Sequence, residues 1–180
     1  MNSILERIAA ADAARRRIIN ANRGLSPAQA AFKGPGGWSV QAHIEHLVLS
    51  EQRGVQRIWL AAEGLRRGVP LHAGEAVHRG LPIEEVIAKT WKPKEKAMVE
   101  TDPVGEGPLS YWIARYEACQ PTLEQVPRVL SGLDPAQALD LHYLSGPLDA
   151  YQRLEFLRFH TDRHYDQVER LKQAEGFPVR

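Results

Sequence analysis

Apolar residues recur at helical spacing in four stretches of the chain, separated by clusters of glycine, proline and charge. In the first, about residues 4 to 21, Ile4, Leu5, Ile8, Ala11, Ile18 and Ile19 fall on one stripe of a helix. Arg15 interrupts that stripe and is expected to snorkel to water, while Arg16 and Arg17 turn away from it. All three lie towards the helix end, where cations suit the dipole. Gly24 stops the helix, and Ser26-Pro27 supplies a cap and first turn for a short helix reaching Phe32. Gly34-Pro35-Gly36-Gly37 breaks the pattern again. The second long helix is predicted to begin after Ser39, whose hydroxyl can accept from free backbone N–H groups. Val40, Ile44, Leu47, Val48, Val55, Ile58, Trp59 and Ala62 form its predicted buried face, and Gly64 with Gly68-Val69-Pro70 marks its end.

Residues from about 65 to 107 read differently, being rich in glycine, proline and charge with one short helix around 83 to 91. A connection of that length can run the full length of a helix about 30 Å long, so its flanking helices are free to be parallel. A third helix is predicted over about 108 to 126 from Leu109, Trp112, Ile113, Tyr116 and Leu123, kinked or restarted at Pro121 and finished by Pro127 and Ser131-Gly132. Residues 133 to 145 read as a loop, with room for extended structure at Leu139-Asp140-Leu141-His142-Tyr143. Asp149 and Gln152 have capping-box spacing at the start of a fourth helix, whose seam is Ala150, Leu154, Leu157, Thr161, His164, Val168 and Leu171. These segments predict an all-α fold: a four-helix bundle with a long crossover between helices 2 and 3 and a single domain over residues 1–180.

Composition narrows the function classes. The 180 residues carry a formal net charge of +1, and no basic recognition helix stands out, which argues against nucleic acid or an anionic membrane as partner. One cysteine, Cys119, excludes an internal disulfide framework. No apolar run is long enough to span a membrane, and the N-terminus opens in an amphipathic pattern without a signal peptide's apolar stretch, so a cytoplasmic protein is expected.

Chemistry concentrates in the histidines. His160 and His164 are one helical turn apart on the fourth helix and can aim two imidazoles at one point. Two buried imidazoles would otherwise need separate partners, and a metal ion satisfies both. A third imidazole from another helix, His46, would complete a three-nitrogen site with positions left open. A zincin protease is excluded, because Thr161 stands where that motif has its glutamate. Di-iron carboxylate bundles are excluded too, since Glu75-Ala76-Val77-His78 is the lone Glu-x-x-His in the chain.

Gly37-Trp38-Ser39-Val40-Gln41 leading to His46-Leu47, together with Phe159-His160-Thr161-Asp162-Arg163-His164-Tyr165-Asp166-Gln167, resembles the DinB/YfiT-like superfamily of bacterial helical bundles. Its members typically carry a metal histidine eight residues after the tryptophan, then an HxxxH pair followed by glutamine. The element order and the long crossover fit as well, and the resemblance implies an up-down-down-up bundle. The resemblance implies that His46, His160 and His164 are ligands of a divalent metal, zinc or nickel most often, in a protein that is commonly a homodimer. It also implies a metal-dependent transferase, isomerase or hydrolase acting on a small-molecule substrate, with a low-molecular-weight thiol in some members.

Two functions stay open on these residues: an enzyme of that kind, and a non-catalytic metal-stabilised bundle that binds a ligand or partner. No general base is identified, Glu45, Glu51 and His43 being candidates by their place along the helix. His43 reads first as an outer or surface residue, and Gln167 as a ligand-orienting or bundle-bonding side chain. Trp38, Trp59, Trp91 and Trp112 read as core or pocket wall, and Cys119 as a buried helix residue. His72, His78 and His142 read as loop residues; if the crossover folds over the metal face, His72 or His78 comes within reach of it.

Overall fold

The computed structural model of the chain describes residues 3–34, 37–92, 98–105 and 107–179. It is mostly helical: α1 (Ile4–Asn22), α2 (Pro27–Ala31), α3 (Val40–Arg66), α4 (Ile83–Thr90), α5 (Leu109–Glu117), α6 (Gln120–Leu123), α7 (Val126–Val129) and α8 (Ala150–Lys172). A small sheet departs from the all-α expectation. Strands β1 (Asp140–His142) and β2 (Gly146–Leu148) pair antiparallel, with Asp140 opposite Leu148 and His142 opposite Gly146. Pro35 and Gly36, in the predicted break before α3, and residues 93–97 and 106 of the crossover lie outside the described residues.

Caps set the helix starts. Ser3, Ser26 and Asp149 each form a reciprocal capping box, with Glu6, Gln29 and Gln152, and Ser39 accepts from the Ala42 N–H. The predicted third helix is three short ones. Pro121 and Pro127 each sit in a first turn, where a missing N–H costs nothing, so each restarts a helix instead of bending one.

Cross-links give the helix directions. Arg7 bonds Glu155, Arg17 bonds Asp162 and the Lys172 ammonium donates to the Ala21 carbonyl, so α1 and α8 run the same way. His46 meets His160 and His43 meets His164, which makes α3 antiparallel to α8. Those two helices also pack tightly at Gly54, where a Cβ would lie 2.9 Å from Leu157 Cδ2. Glycine costs a helix interior about 1 kcal/mol, and here it makes room for that approach.

Around α3 the apolar positions divide into patches. Ile8, Val55, Ile58, Leu123, Leu154 and Leu157 pack at one end, and Ile18, Ile44, Leu47, Val48, Trp112 and Tyr116 further along. Fully burying a side chain of this size contributes roughly 1.5–3 kcal/mol. Helix α4 packs Ile83, Val86 and Ile87 on Leu148 and Phe156, tying the crossover to the hairpin and α8.

Three expectations fail here. Leu5 and Trp59, placed on buried faces by their spacing, are 66% and 40% exposed. Arg15 does not snorkel. It is 2% exposed, and its guanidinium donates to Glu51, Asp12 and Gln120 beneath the Tyr116 ring. Burial works against that charge and the Glu51 carboxylate more than offsets it, holding the guanidinium above its ordinary pKa.

Candidate metal centre

Helices α3 and α8 bring the three predicted histidines together. Residues 46, 50, 53 and 57 follow one another at three- and four-residue steps on a single face of α3, as do 153, 156, 160, 164 and 167 on α8. Where the two faces meet, His46 Nε2 lies 3.2 Å from His160 Nε2, and His164 Nε2 lies 3.1 Å from the same atom. One ligand nitrogen from each ring falls within 4.8 Å of the others, and all three residues are buried. Nitrogens about 2.05 Å from a tetrahedral zinc ion stand about 3.3 Å apart, so the two short separations suit two edges of such a site.

Protonation suits it too. Burial, reinforced by the neighbouring imidazoles, holds His160 and His164 well below the ordinary histidine pKa, and burial lowers His46. All three rings are therefore neutral near pH 7. His46 Nδ1–H donates to the Thr101 carbonyl at 2.6 Å, which leaves its Nε2 lone pair directed at the cluster. His164 is oriented by a residue read as an outer or surface one. Its Nδ1 lies 2.9 Å from His43 Nδ1, and His43 is buried and pushed down to about 4 by that burial and by His46. With His164 Nε2 facing the cluster, its Nδ1–H donates and neutral His43 accepts. Trp38 closes this side, its ring 4.9 Å from that of His46 and stacked on His164 at 6.0 Å.

The histidines open on a cavity of about 140 Å³. Crossover residues Trp91, Met98 and Thr101 form part of its wall, as do Ser50 of α3 and Gln167 of α8. The crossover thus does fold over the histidines, but His78 bonds the Ser145 carbonyl and His72 packs beside Gly74, so neither reaches them. The carboxylates named as candidate bases are engaged elsewhere. Glu45 accepts the Val104 and Gly105 N–H groups, each at 2.9 Å, and Glu51 belongs to Arg15. Cys119 is buried away from the site, its thiol pushed up to about 12 by that burial.

His142 was a loop residue by sequence and is a cavity wall in the structure. Its Nδ1 accepts the Ser145 N–H at 3.1 Å, with the Leu144 N–H at 3.4 Å, so its proton sits on Nε2. Burial, with Arg153 nearby, pushes its pKa down to about 3, and the ring stays neutral. The one sequence signal for it was the short extended run of residues 139–143.

A family model described as the DinB superfamily matches residues 10–168. The chain belongs to the DinB superfamily. The match takes in the α3 and α8 histidines and the crossover between them, the segments on which the sequence resemblance rested. No curated protein and no solved structure matches this DinB-superfamily chain.

Proposed function

We propose that this DinB-superfamily protein is a metal-dependent enzyme for a small substrate, with His46, His160 and His164 holding a divalent ion, zinc or nickel. The observation that carries the reading is the convergence of three neutral imidazole nitrogens, two pairs at 3.1 and 3.2 Å, at the end of a 140 Å³ cavity. We read the scaffold as an up-down-down-up bundle, with α5–α7 as its third member. Leu109 shares a cleft with Asn22 and Gln41, Gln120 bonds Arg15, and Cys119 shares another cleft with Gln52, which supports α5–α7 running opposite to α1 and alongside α3.

Three neutral ligands leave such an ion its full charge and an open position, where it supplies Lewis acidity to a water or holds a thiol as thiolate. The protein's part is to fix the rings. Thr101 and His43 hold His46 and His164 by their Nδ1 edges, Trp38 stacks against the cluster, and the crossover limits access of water. Among the described residues no aspartate or glutamate lines the cavity. That supports transfer from a low-molecular-weight thiol over hydrolysis, because a thiolate needs no carboxylate base. The same lack is the observation that favours the second reading, a metal-stabilised bundle that binds without turnover.

Metal content of the purified protein after saturation with zinc or nickel tests both. One ion per wild-type chain is expected, lost in His46→Ala and in His160→Ala/His164→Ala. A wild-type protein that retains neither metal overturns both readings. Bound metal without turnover across thiol-transfer and hydrolysis panels leaves the non-catalytic one.

A further inference from the structure

Four arginines line the cavity beside the histidines: Arg53 and Arg57 from α3, Arg153 and Arg163 from α8. Two of them share one acid. Asp140, buried at the start of β1, takes Arg57 Nε on one oxygen at 2.5 Å and Arg153 on the other. Neither Arg53 nor Arg163 has an ion pair or hydrogen bond among the described residues, and both are half-buried. Arg163 is placed by its guanidinium lying over the Trp91 ring, 5.6 Å from the centroid. Their positions follow from the helix periods that place the histidines: Arg53 is seven residues on from His46, and Arg163 three on from His160.

Guanidiniums left half-buried without a counter-charge cost free energy, and in a walled cleft their fields add. Further donors stand in the same cavity. Among the described residues His142 Nε2–H meets no acceptor, its ring bonding through Nδ1 alone, and the buried Nε of the Arg153 guanidinium has no partner. The orphaned acceptor there, Gln167 Oε1, belongs to an amide that presents a donor when turned over, so these groups can all donate. By contrast Arg15, buried more deeply than Arg53 or Arg163, is matched by a carboxylate. What the cavity lacks is a small negative group.

We propose that the cavity takes a small anionic molecule, its carboxylate or phosphate held by Arg53 and Arg163 and by the Nε2–H of His142, with the rest of the molecule towards His46, His160 and His164. The assignment rests on the proposed function only in taking this cavity for the substrate cavity. Planar guanidinium forks match the oxygens of either group, and the volume admits only a small molecule.

Titration calorimetry in low-salt buffer tests it with three probes: succinate, inorganic phosphate and the uncharged succinamide. Zinc-saturated and metal-free protein are both titrated, as are Arg53→Gln, Arg163→Gln and the double variant. Succinate, phosphate or both are expected to bind with and without zinc, and succinamide not to. Hydrogen bonds to charged groups contribute about 1.5–3 kcal/mol each, so each single variant is expected to weaken the anion tenfold or more, and the double variant further. Zinc content should be unchanged in all three variants, which shows that the histidines remain in place. The anion that binds more tightly decides between carboxylate and phosphate. No binding of either anion to the wild type, or equal affinity in the double variant, overturns the proposal. Anion binding by a wild-type protein that takes up no zinc would sink the metal reading and leave this one standing.

Discussion

On the side of α3 that meets α1, Arg15 is almost wholly buried, and its guanidinium is surrounded by acceptors from Glu51, Asp12 and Gln120. On the side that lines the cavity, Arg53 stands without an acid, and His142 Nε2–H and Arg153 Nε stand without acceptors. One helix therefore carries a polar network that is complete within the protein and another that is not. A closed network of this kind serves packing: its members satisfy one another and leave nothing for a ligand. An open one is stable only to the extent that solvent or a bound molecule finishes it, so the incompleteness itself marks the side open to a ligand.

Acid should break the open side first, and this is the largest effect expected. His43, His46, His142, His160 and His164 are all held below the ordinary histidine pKa, to about 4 for His43 and about 3 for His142. The unfolded chain, with histidines near 6.5, then binds more protons than the folded one. Stability is full above that value and falls as pH drops towards the folded values, by up to about 1.4 kcal/mol per pH unit for each histidine. Urea unfolding of metal-free protein between pH 7.5 and 4 measures the slope, and His142→Gln should make it shallower. A stability independent of pH over that range would contradict the buried neutral cluster.

Glu51→Ala attacks the closed side. Removing one partner of a buried pair typically costs about 3–5 kcal/mol, because the other charge is left stranded. Denaturant unfolding should show that loss while metal content per folded chain stays at the wild-type level. Loss of metal from correctly folded Glu51→Ala would mean that the two networks are one.

The smallest of the three effects concerns His43, which bonds His164 from outside the cavity. Outer partners of metal-bound histidines are typically worth 10–100-fold in metal affinity. His43→Ala should weaken zinc by about that factor in a competition titration with a chromogenic chelator. Unchanged affinity would reduce His43 to packing.

The sequence showed the closed and open sides unequally well. Caps and helix faces are local properties, so Ser39, the Asp149–Gln152 box and the shared face of His160 and His164 could be read from spacing alone. His46 was singled out by its place after Trp38 and by the family resemblance. The match over residues 10–168 agrees with the family resemblance drawn from those motifs. Arg15 was misread because its partner Glu51 is 36 residues away, and no periodicity announces a buried ion pair. His43 was undervalued for the same reason, since it meets His164 across 121 residues. Thr101 acts through its carbonyl, which every residue possesses, so side-chain chemistry gives no hint of it. His142 owes its place to a two-stranded hairpin too short to show a strand's alternation. The wrongly buried Leu5 and Trp59 reflect the opposite limit: helical spacing defines a stripe but not how far the neighbouring element extends along it.

The bond from His46 to the Thr101 carbonyl has a thermodynamic consequence. His46 and its neighbour Glu45 both grip the crossover, one at Thr101 and the other at the Val104 and Gly105 amides. The docked crossover and the correctly turned imidazole are thus linked equilibria. By whatever factor docking of residues 98–105 would tighten an ion held by the histidines, that ion would favour docking by the same factor. Metal supply would then set how firmly this segment is held on α3.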